Sequence, residues 1–212
     1  MIKKILIADD HLVVRRGIRQ ILSDWSDTAV MDEACNGQEV LEKVQDNHYD
    51  LILLDISMPG RSGLEVLSQL KKERPDLNVL ILSMHTEEQY AVRVMKAGAS
   101  GYLTKESTPE ELISAVEKVS QGRKYVSSSL AEQLAFYLET ETDKPPHELL
   151  SDREFEVLCL IAKGKTATEI AEMLSLSIKT ISTYRTRILE KMAMTNNAQL
   201  THYAIKNNLI CE

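Results

Sequence analysis

The sequence lacks long apolar runs and clustered cysteines, and each absence excludes a class of protein. No apolar run approaches the ~20 residues that a bilayer span needs. The apolar run near the N-terminus ends at Asp9 and Asp10 without a small-residue cleavage site, so we interpret it as a first β-strand and not as a signal peptide. Cys35, Cys159 and Cys211 match no metal-ligand spacing, which favours reduced thiols without a function. We therefore expect a cytoplasmic protein with no membrane span.

Length and charge indicate two domains of different character. A chain of 212 residues can form two domains that each bury a core. The net charge of −7, taken whole, argues mildly against nucleic-acid binding. From residue 147 onward, however, basic and acidic residues balance, and residues 177–192 carry four basic residues against Glu190 alone. That segment is suited to contacts with phosphate groups.

Residues 1–124 alternate short β-branched runs with helical patterns, which predicts an α/β domain with a parallel sheet. Residues 51–54 (LILL) are apolar at every position, as in a central strand that is covered on both faces. Five strands alternating with five helices predict a doubly wound fold, although this pattern alone leaves the strand order open. The predicted strands are residues 4–8, 29–34, 51–54, 79–82 and 101–103.

The pattern of the remaining residues predicts a linker and a small all-α domain. Residues 125–146 include one possible helix, at 129–138, and a polar stretch that ends in two prolines. Residues 147–212 are helical throughout, and capping boxes at Ser151 and Thr166 start the first two helices. A three-residue turn at 175–177 precedes a longer basic helix, and a last helix covers 197–206. A short helix, a turn and a basic helix form the helix-turn-helix pattern.

Polar residues that could share one site follow the strands of the predicted sheet. Asp9 and Asp10 follow the first strand, and Asp55 ends the third. Ser83 and Lys105 follow the fourth and fifth strands at the same edge. Three converging carboxylates predict a divalent cation such as Mg²⁺, and the hydroxyl and ammonium groups opposite them suit phosphoryl transfer to Asp55.

These residues resemble the receiver domain of bacterial response regulators. The resemblance rests on Asp9-Asp10, residues 53–60 (LLDISMPG), Ser83 and residues 101–105 (GYLTK), and it covers about residues 2–122. It implies a flavodoxin-like fold with strand order 2-1-3-4-5. It also implies that Asp55 accepts phosphate from the phosphohistidine of a sensor histidine kinase. The implied Mg²⁺ ligands are Asp9, Asp10, Asp55 and the backbone carbonyl of Ser57, and the implied switch and phosphate-binding residues are Ser83, Tyr102 and Lys105.

The basic helix has an apolar and a polar face. A helical period places five apolar residues on one face: Ile178, Ile181, Ile188, Leu189 and Met192. The opposite face is free to enter a major groove or, in the simpler alternative, is only solvated. Residues 150–158, 161–166, 169–171 and 180–185 resemble the LuxR-type domain, so the whole chain resembles the NarL/FixJ group of regulators.

This resemblance makes double-stranded DNA the expected partner of the polar face. We expect Lys179, Tyr184 and Arg187 to contact phosphates, and Ser182, Thr183 and Thr186 to contact bases. Arg185 departs from the family, in which an apolar residue is frequent at this position. It either reaches a phosphate, or the helix is rotated relative to this assignment.

The last helix resembles the family's dimerisation helix through Leu200, Tyr203 and Ala204. These residues could equally complete the core of their own domain, and both interpretations can hold. The resemblance implies a homodimer when the protein is phosphorylated, with two-fold symmetric binding to promoter DNA. It also suggests that the unphosphorylated receiver occludes the DNA-binding surface.

Two other functions stay open from the sequence. An Asp-nucleophile phosphatase also uses a Mg²⁺ site, but it typically needs a second acidic residue two positions after the nucleophile, where Ser57 stands. An adaptor that binds a protein through its helical domain is the other alternative. Ser57 and His85 each lie two residues beyond a site residue, which suggests that they control the access of water to a phosphoryl group; an ordinary exposed loop histidine is the simpler interpretation of His85.

Overall fold

The computed structural model describes residues 4–26, 28–139 and 145–210. Within these ranges, the side chains of residues 88, 89, 133 and 136–139 are not described. Backbone contacts divide the chain into two units, residues 1–131 and 132–212. No helix in the described ranges is long and apolar enough to cross a bilayer.

The first unit contains a five-stranded, fully parallel sheet with the order β2-β1-β3-β4-β5. This order confirms the flavodoxin-like prediction. The strands are β1 (Lys4–Ala8), β2 (Val30–Ala34), β3 (Leu51–Asp55), β4 (Asn78–Ser83) and β5 (Gly101–Thr104). Pairing of Ser83 with Thr104 extends β4 and β5 beyond their predicted ends, so that Ser83 ends its strand instead of following it.

Helices alternate with these strands, as the sequence pattern predicts. They are α1 (Leu12–Trp25), α2 (Gly37–Asp46), α3 (Gly63–Glu73), α4 (Glu87–Lys96) and α5 (Pro109–Ser120). Thr108 caps α5 with both bonds of a capping box, and Pro109 occupies the first turn, where its missing N–H costs nothing.

The core of the first unit lies around its central strand. Every residue of β3 is buried, because helices cover both faces of the parallel sheet. The apolar residues of β1 and β4 are buried in the same way. The sheet is therefore a rigid platform, and polar groups at the ends of its strands are held by packed backbone.

The first unit extends beyond the predicted end of the receiver domain at residue 124. The backbone N–H of Tyr125 donates to the carbonyl of Ser100, and Leu130 is fully buried. Helix α6 (Ser128–Glu139) matches the helix expected in the linker. Residues 140–144, most of the polar part of that linker, lie outside the described residues.

The second unit is helical in all its described elements. A 3-10 helix (Pro146–Leu149) precedes α7 (Asp152–Ala162), α8 (Ala167–Met173), α9 (Ile178–Lys191) and α10 (Asn197–Lys206). Both predicted capping boxes form, at Ser151 and at Thr166. Ser175 adopts φ = 54° in the turn between α8 and α9, which lets the chain reverse within three residues.

Candidate functional site

The carboxyl ends of the strands bring the predicted site residues together at one edge of the sheet. Asp9 follows β1 directly, Asp55 is the last residue of β3, and Lys105 follows β5. The three side chains are buried: Asp9 and Asp55 are each 1% exposed and the side chain of Lys105 is 7% exposed. Charged groups buried to this degree require partners.

Lys105 supplies that partner for both carboxylates. Its Nζ lies 2.7 Å from Oδ2 of Asp9 and 2.7 Å from Oδ2 of Asp55. Nζ donates a hydrogen bond to Asp55 and forms an ion pair with Asp9. One positive charge therefore compensates two negative charges in the pocket, which leaves it with a net negative charge.

The pKa values reflect this imbalance. Burial raises the pKa of Asp55 above its ordinary value, and the charge of Lys105 opposes that rise only in part. Burial works to lower the pKa of Lys105, but the carboxylates of Asp55 and Asp9 outweigh it and raise the pKa above the usual value. Lys105 therefore stays charged. A further cation near Asp55 would favour the ionised form of the Asp55 carboxylate.

The donor atoms of this edge fit a divalent cation. Carboxylate oxygens of Asp9, Asp10 and Asp55 and a ring nitrogen of His11 lie within 4.8 Å of one another. In the part of the chain that the structure describes, Oδ2 of Asp9 and Oδ1 of Asp10 are buried without a hydrogen bond. Buried carboxylate oxygens that accept no hydrogen bond are suited to bind a cation. That the carbonyl of Ser57 belongs to the ligand set stays a prediction.

Arg15 anchors the loop that carries two of these carboxylates. Its guanidinium donates to the carbonyl of Asp9 at 2.8 Å and to the carboxylate of Glu33 in β2 at 3.1 Å. Arg19, one turn further along α1, also binds Glu33, and these two arginines hold the pKa of Glu33 below its usual value, Arg19 with the larger effect. Sequence analysis missed this contact, although the spacing of the two arginines on α1 was a visible signal.

Gly63 lets β3 and α3 approach closely. A Cβ at this position would lie 2.0 Å from the backbone oxygen of Asp55, which no side chain can tolerate. The N–H of Gly63 donates to the carbonyl of Ile56 at 2.8 Å. The start of α3 therefore forms a fixed wall beside Asp55.

The two predicted switch residues both bind the backbone of His85. Oγ of Ser83 accepts from the N–H of His85 at 3.0 Å, and the hydroxyl of Tyr102 donates to its carbonyl at 2.7 Å. Ser83 and Tyr102 are fully buried, so the ring of Tyr102 lies inside the protein in this structure. The segment between β4 and α4 is thus tied to both side chains.

Ser57 and His85 lie next to each other above the pocket. Oγ of Ser57 is 3.4 Å from Nε2 of His85, and the imidazole ring stacks on Tyr90 with centroids 4.6 Å apart. The N–H of Ser57 also donates to Oδ1 of Asp55 at 3.1 Å. Two residues that the sequence singled out separately therefore form one group next to Asp55.

The outer face of α9 presents the residues expected to contact DNA. Five of the six are exposed: Lys179, Ser182, Thr183, Thr186 and Arg187. Tyr184 is half-buried. The hydroxyls of Thr183 and Thr186 donate to carbonyls one turn earlier in the helix, so each would need to rotate before donating to a base.

The inner face of α9 differs from prediction at Ile178, and Leu189 is only half-buried. Ile181, Ile188 and Met192 are buried as expected, but Ile178 is 51% exposed because it lies in the first turn, beyond the packed part of the helix. The Nε of Arg185 donates to Oδ1 of Asn197 at 2.6 Å, which links α9 to the start of α10. That Arg185 also reaches a phosphate stays a prediction.

The predicted dimerisation residues lie in or near the core of their own unit. Leu200 and Ala204 are fully buried, so neither can contact a second chain in this conformation. Tyr203 is half-buried, and its hydroxyl lies 2.8 Å from Nδ1 of His147. Packing within the domain accounts for Leu200 and Ala204, and a dimer contact of this helix stays a prediction.

Comparisons with known proteins agree with this architecture. The family model of the response regulator receiver domain matches residues 5–117, and that of the bacterial regulatory proteins of the luxR family matches residues 148–204. The chain therefore belongs to the two-component response regulators of the NarL/FixJ group, which join a receiver to a LuxR-type DNA-binding domain.

Its relatives match over their full length. Response regulator UvrY of Escherichia coli K12 is 39% identical over 206 residues, which are 97% of this chain and 94% of UvrY. The oxygen regulatory protein NreC of Staphylococcus epidermidis is 41% identical over 215 residues, which are 98% of this chain and 99% of NreC. Among solved structures, RcsB of Salmonella enterica serovar Typhimurium, bound to the promoter rprA in the presence of phosphomimetic BeF3-, matches with a TM-score of 0.66. It is 28% identical and covers 95% of this chain and 97% of RcsB.

Proposed function

We propose that Asp55 is the phosphoacceptor of this regulator and that its phosphorylation controls dimerisation and promoter binding. The observation that carries the proposal is the contact of one ammonium group, that of Lys105, with the carboxylates of both Asp9 and Asp55. A buried carboxylate that lies beside a fixed positive charge and near further carboxylates able to hold a cation is suited to receive a phosphoryl group.

The reaction requires little more than positioning. An oxygen of Asp55 attacks the phosphorus of a kinase phosphohistidine, so that a P–O bond forms while the P–N bond breaks and the released imidazole takes up a proton. Lys105 is close enough to bind a phosphoryl oxygen, and the hydroxyl of Ser83 can donate to another. Mg²⁺, when held by Asp9, Asp10, Asp55 and the carbonyl of Ser57, neutralises charge on the phosphoryl oxygens.

The loop held by Ser83 and Tyr102 offers a route from the phosphoryl group to the surface. If Ser83 turns towards a phosphoryl oxygen, its hydrogen bond with His85 breaks, and Tyr102 then loses its fixed acceptor. The segment between β4 and α4 can rearrange as a consequence, which biases the protein towards a dimer.

Promoter binding is assigned to α9, whose exposed face carries Lys179 and Arg187. The solved complexes of RcsB with promoter DNA, and of two RcsB dimers with two parallel DNAs, support a dimeric mode of binding.

The only reactions that we assign to the protein are its own phosphorylation and dephosphorylation. Phosphatases with an Asp nucleophile need an acidic residue at the position that Ser57 occupies here. We place the protein in the cytoplasm, where a kinase and promoter DNA are both accessible.

Incubation with acetyl phosphate and Mg²⁺ tests the phosphoacceptor directly. Intact-mass spectrometry should show one phosphoryl group on the wild-type chain and none on Asp55→Asn, while Asp46→Asn, an exposed control in α2, should be labelled like the wild type. Size-exclusion chromatography and a promoter gel shift of the same samples should show a dimer and tighter binding only where label is present. Equal labelling of Asp55→Asn would refute the assignment.

A further inference from the structure

His11 stands at the cation site without a place in the predicted ligand set. It is the residue before α1, and its backbone N–H donates to Oδ1 of Asp9 at 2.8 Å. Its ring nitrogen Nδ1 lies 2.8 Å from Oδ1 of Asp10 and 3.4 Å from Oδ1 of Asp9. The side chain is 67% exposed, so the ring sits at the mouth of an otherwise buried pocket.

The contact between His11 and Asp10 differs from an ordinary hydrogen bond. Although the two atoms are 2.8 Å apart, Oδ1 of Asp10 accepts no hydrogen bond from the residues that the structure describes. The side chain of Asp9 is 1% exposed, and its Oδ1, which accepts from the backbone N–H of His11, lies 3.4 Å from the same ring nitrogen. Atoms that lie this close together without a hydrogen bond between them have the arrangement expected of neighbouring ligands of one metal ion.

The distances agree with that arrangement. Adjacent ligands at about 2.1 Å from an octahedral cation lie about 3.0 Å apart, and tetrahedral ligands at about 2.0 Å lie about 3.3 Å apart. The distances of 2.8 Å and 3.4 Å from Nδ1 of His11 to the two carboxylates bracket these values. Opposite octahedral ligands lie about 4.2 Å apart, so the cluster, which spans 4.8 Å, needs only a small contraction around an ion.

We propose that the imidazole of His11 is a direct ligand of the acidic pocket and gives it a preference for first-row transition-metal ions over Mg²⁺. Mg²⁺ takes oxygen ligands and retains its waters, so an imidazole adds little to its binding. Divalent manganese, cobalt, nickel and zinc gain from an imidazole nitrogen in the order of their general affinities. The inference rests on the proposed function, because it concerns the same pocket, but it makes a separate statement about selectivity.

Direct binding to the full-length protein tests the selectivity. Isothermal titration with Co²⁺ and with Mg²⁺ compares the wild type with His11→Asn, a substitution that keeps a favoured N-cap residue before α1. His48→Asn, an exposed histidine that precedes β3 at the opposite end of the sheet, is the matched control. We expect His11→Asn to weaken Co²⁺ binding at least about tenfold and Mg²⁺ binding less than about twofold, whereas His48→Asn changes neither.

A spectroscopic readout identifies the ligand atom. Pulsed electron paramagnetic resonance of the Mn²⁺-loaded protein should show coupling to an imidazole ¹⁴N in the wild type and in His48→Asn, and its loss in His11→Asn. Displacement of Mn²⁺ by excess Mg²⁺ shows that both ions occupy one pocket.

The two proposals fail differently. If the wild type binds Mg²⁺ and is phosphorylated on Asp55, but shows no ¹⁴N coupling or an unchanged Co²⁺-to-Mg²⁺ ratio in His11→Asn, the selectivity proposal is wrong and the regulator function stands. A wild type that binds no divalent ion contradicts both.

Discussion

Ser83 and Tyr102 hold the same residue from two sides: the hydroxyl of Ser83 accepts from the N–H of His85, and the hydroxyl of Tyr102 donates to its carbonyl. The two side chains come from neighbouring strands, β4 and β5, and both are fully buried. A change at either one is therefore transmitted to the other through one backbone unit.

Removal of the Tyr102 hydroxyl should uncouple phosphorylation from output. Tyr102→Phe keeps the ring but leaves the carbonyl of His85 without this donor, so the loop no longer depends on the position of the ring. We expect labelling of Asp55 by acetyl phosphate within about twofold of the wild type, but a loss of most of the phosphorylation-dependent gain in promoter affinity. Tyr125→Phe, on the strand-like segment beside Gly101, is the control, and an unchanged gain in Tyr102→Phe would contradict the coupling.

The contact between Ser57 and His85 should protect the phosphoryl group from water. The backbone N–H of Ser57 binds Asp55 and its hydroxyl lies against His85, so we expect truncation of either side chain to open the approach to Asp55. We expect Ser57→Ala and His85→Ala each to shorten the dephosphorylation half-life about threefold, which corresponds to roughly 0.6 kcal/mol in the barrier. The double variant should be no faster than the faster single variant, since the two residues act as one group. Half-lives like that of the wild type in both single variants would dismiss this role.

Asp55 should destabilise the cation-free protein at neutral pH. Its pKa in the folded chain is raised above the ordinary 3.8, so the native state retains a proton that the unfolded chain releases. The associated stability is present below the unfolded pKa and is lost as the pH rises through the folded pKa. Asp55→Asn should therefore resist urea better than the wild type at pH 7 in a chelator, and the difference should vanish once the pH falls below 3.8.

Mg²⁺ in the same urea experiment should favour the wild type over Asp55→Asn. A cation that binds only the folded wild type stabilises it by about 1.4 kcal/mol at roughly ten times its dissociation constant. Asp55→Asn lacks one carboxylate ligand and should gain less. If the variant and the wild type respond equally to Mg²⁺ at every concentration, Asp55 is not a ligand.

Lys179 and Arg187 should contribute to DNA affinity without reading sequence. Each is exposed on α9, and each neutralised phosphate releases bound counterions from the duplex. We expect Lys179→Ala and Arg187→Ala to weaken promoter and random DNA alike, and to reduce the slope of log affinity against log salt by about one each. Lys72→Ala, an exposed lysine of α3, should leave the slope as it is.

Local patterns predicted the fold and the acidic pocket well. The strands could be located because apolar runs such as residues 51–54 are bounded by clear helix signals, and parallel pairing then forces their polar ends to one edge. The sequence pattern places the ends of β4 and β5 too early. The pairing of Ser83 with Thr104 is a contact between strands, and it has no signature in the local sequence.

Contacts between elements account for what the sequence did not reveal. The bond from Arg15 to the carbonyl of Asp9 joins a helix to a loop, and a backbone acceptor has no signature in the sequence. The link from Arg185 to Asn197 likewise depends on how α9 and α10 pack. A helical period identified the apolar side of α9, but it could not show that Ile178 lies beyond the neighbouring helices.

The missing Cβ of Gly63 limits how this pocket can vary. Only a hydrogen atom fits between α3 and the oxygen of Asp55, so even an alanine would force the helix outward and break the bond from its first N–H to Ile56. The wall beside the carboxylate of Asp55 would then become a gap that solvent can fill. The surroundings of Asp55 thus depend on a residue that has no side chain of its own.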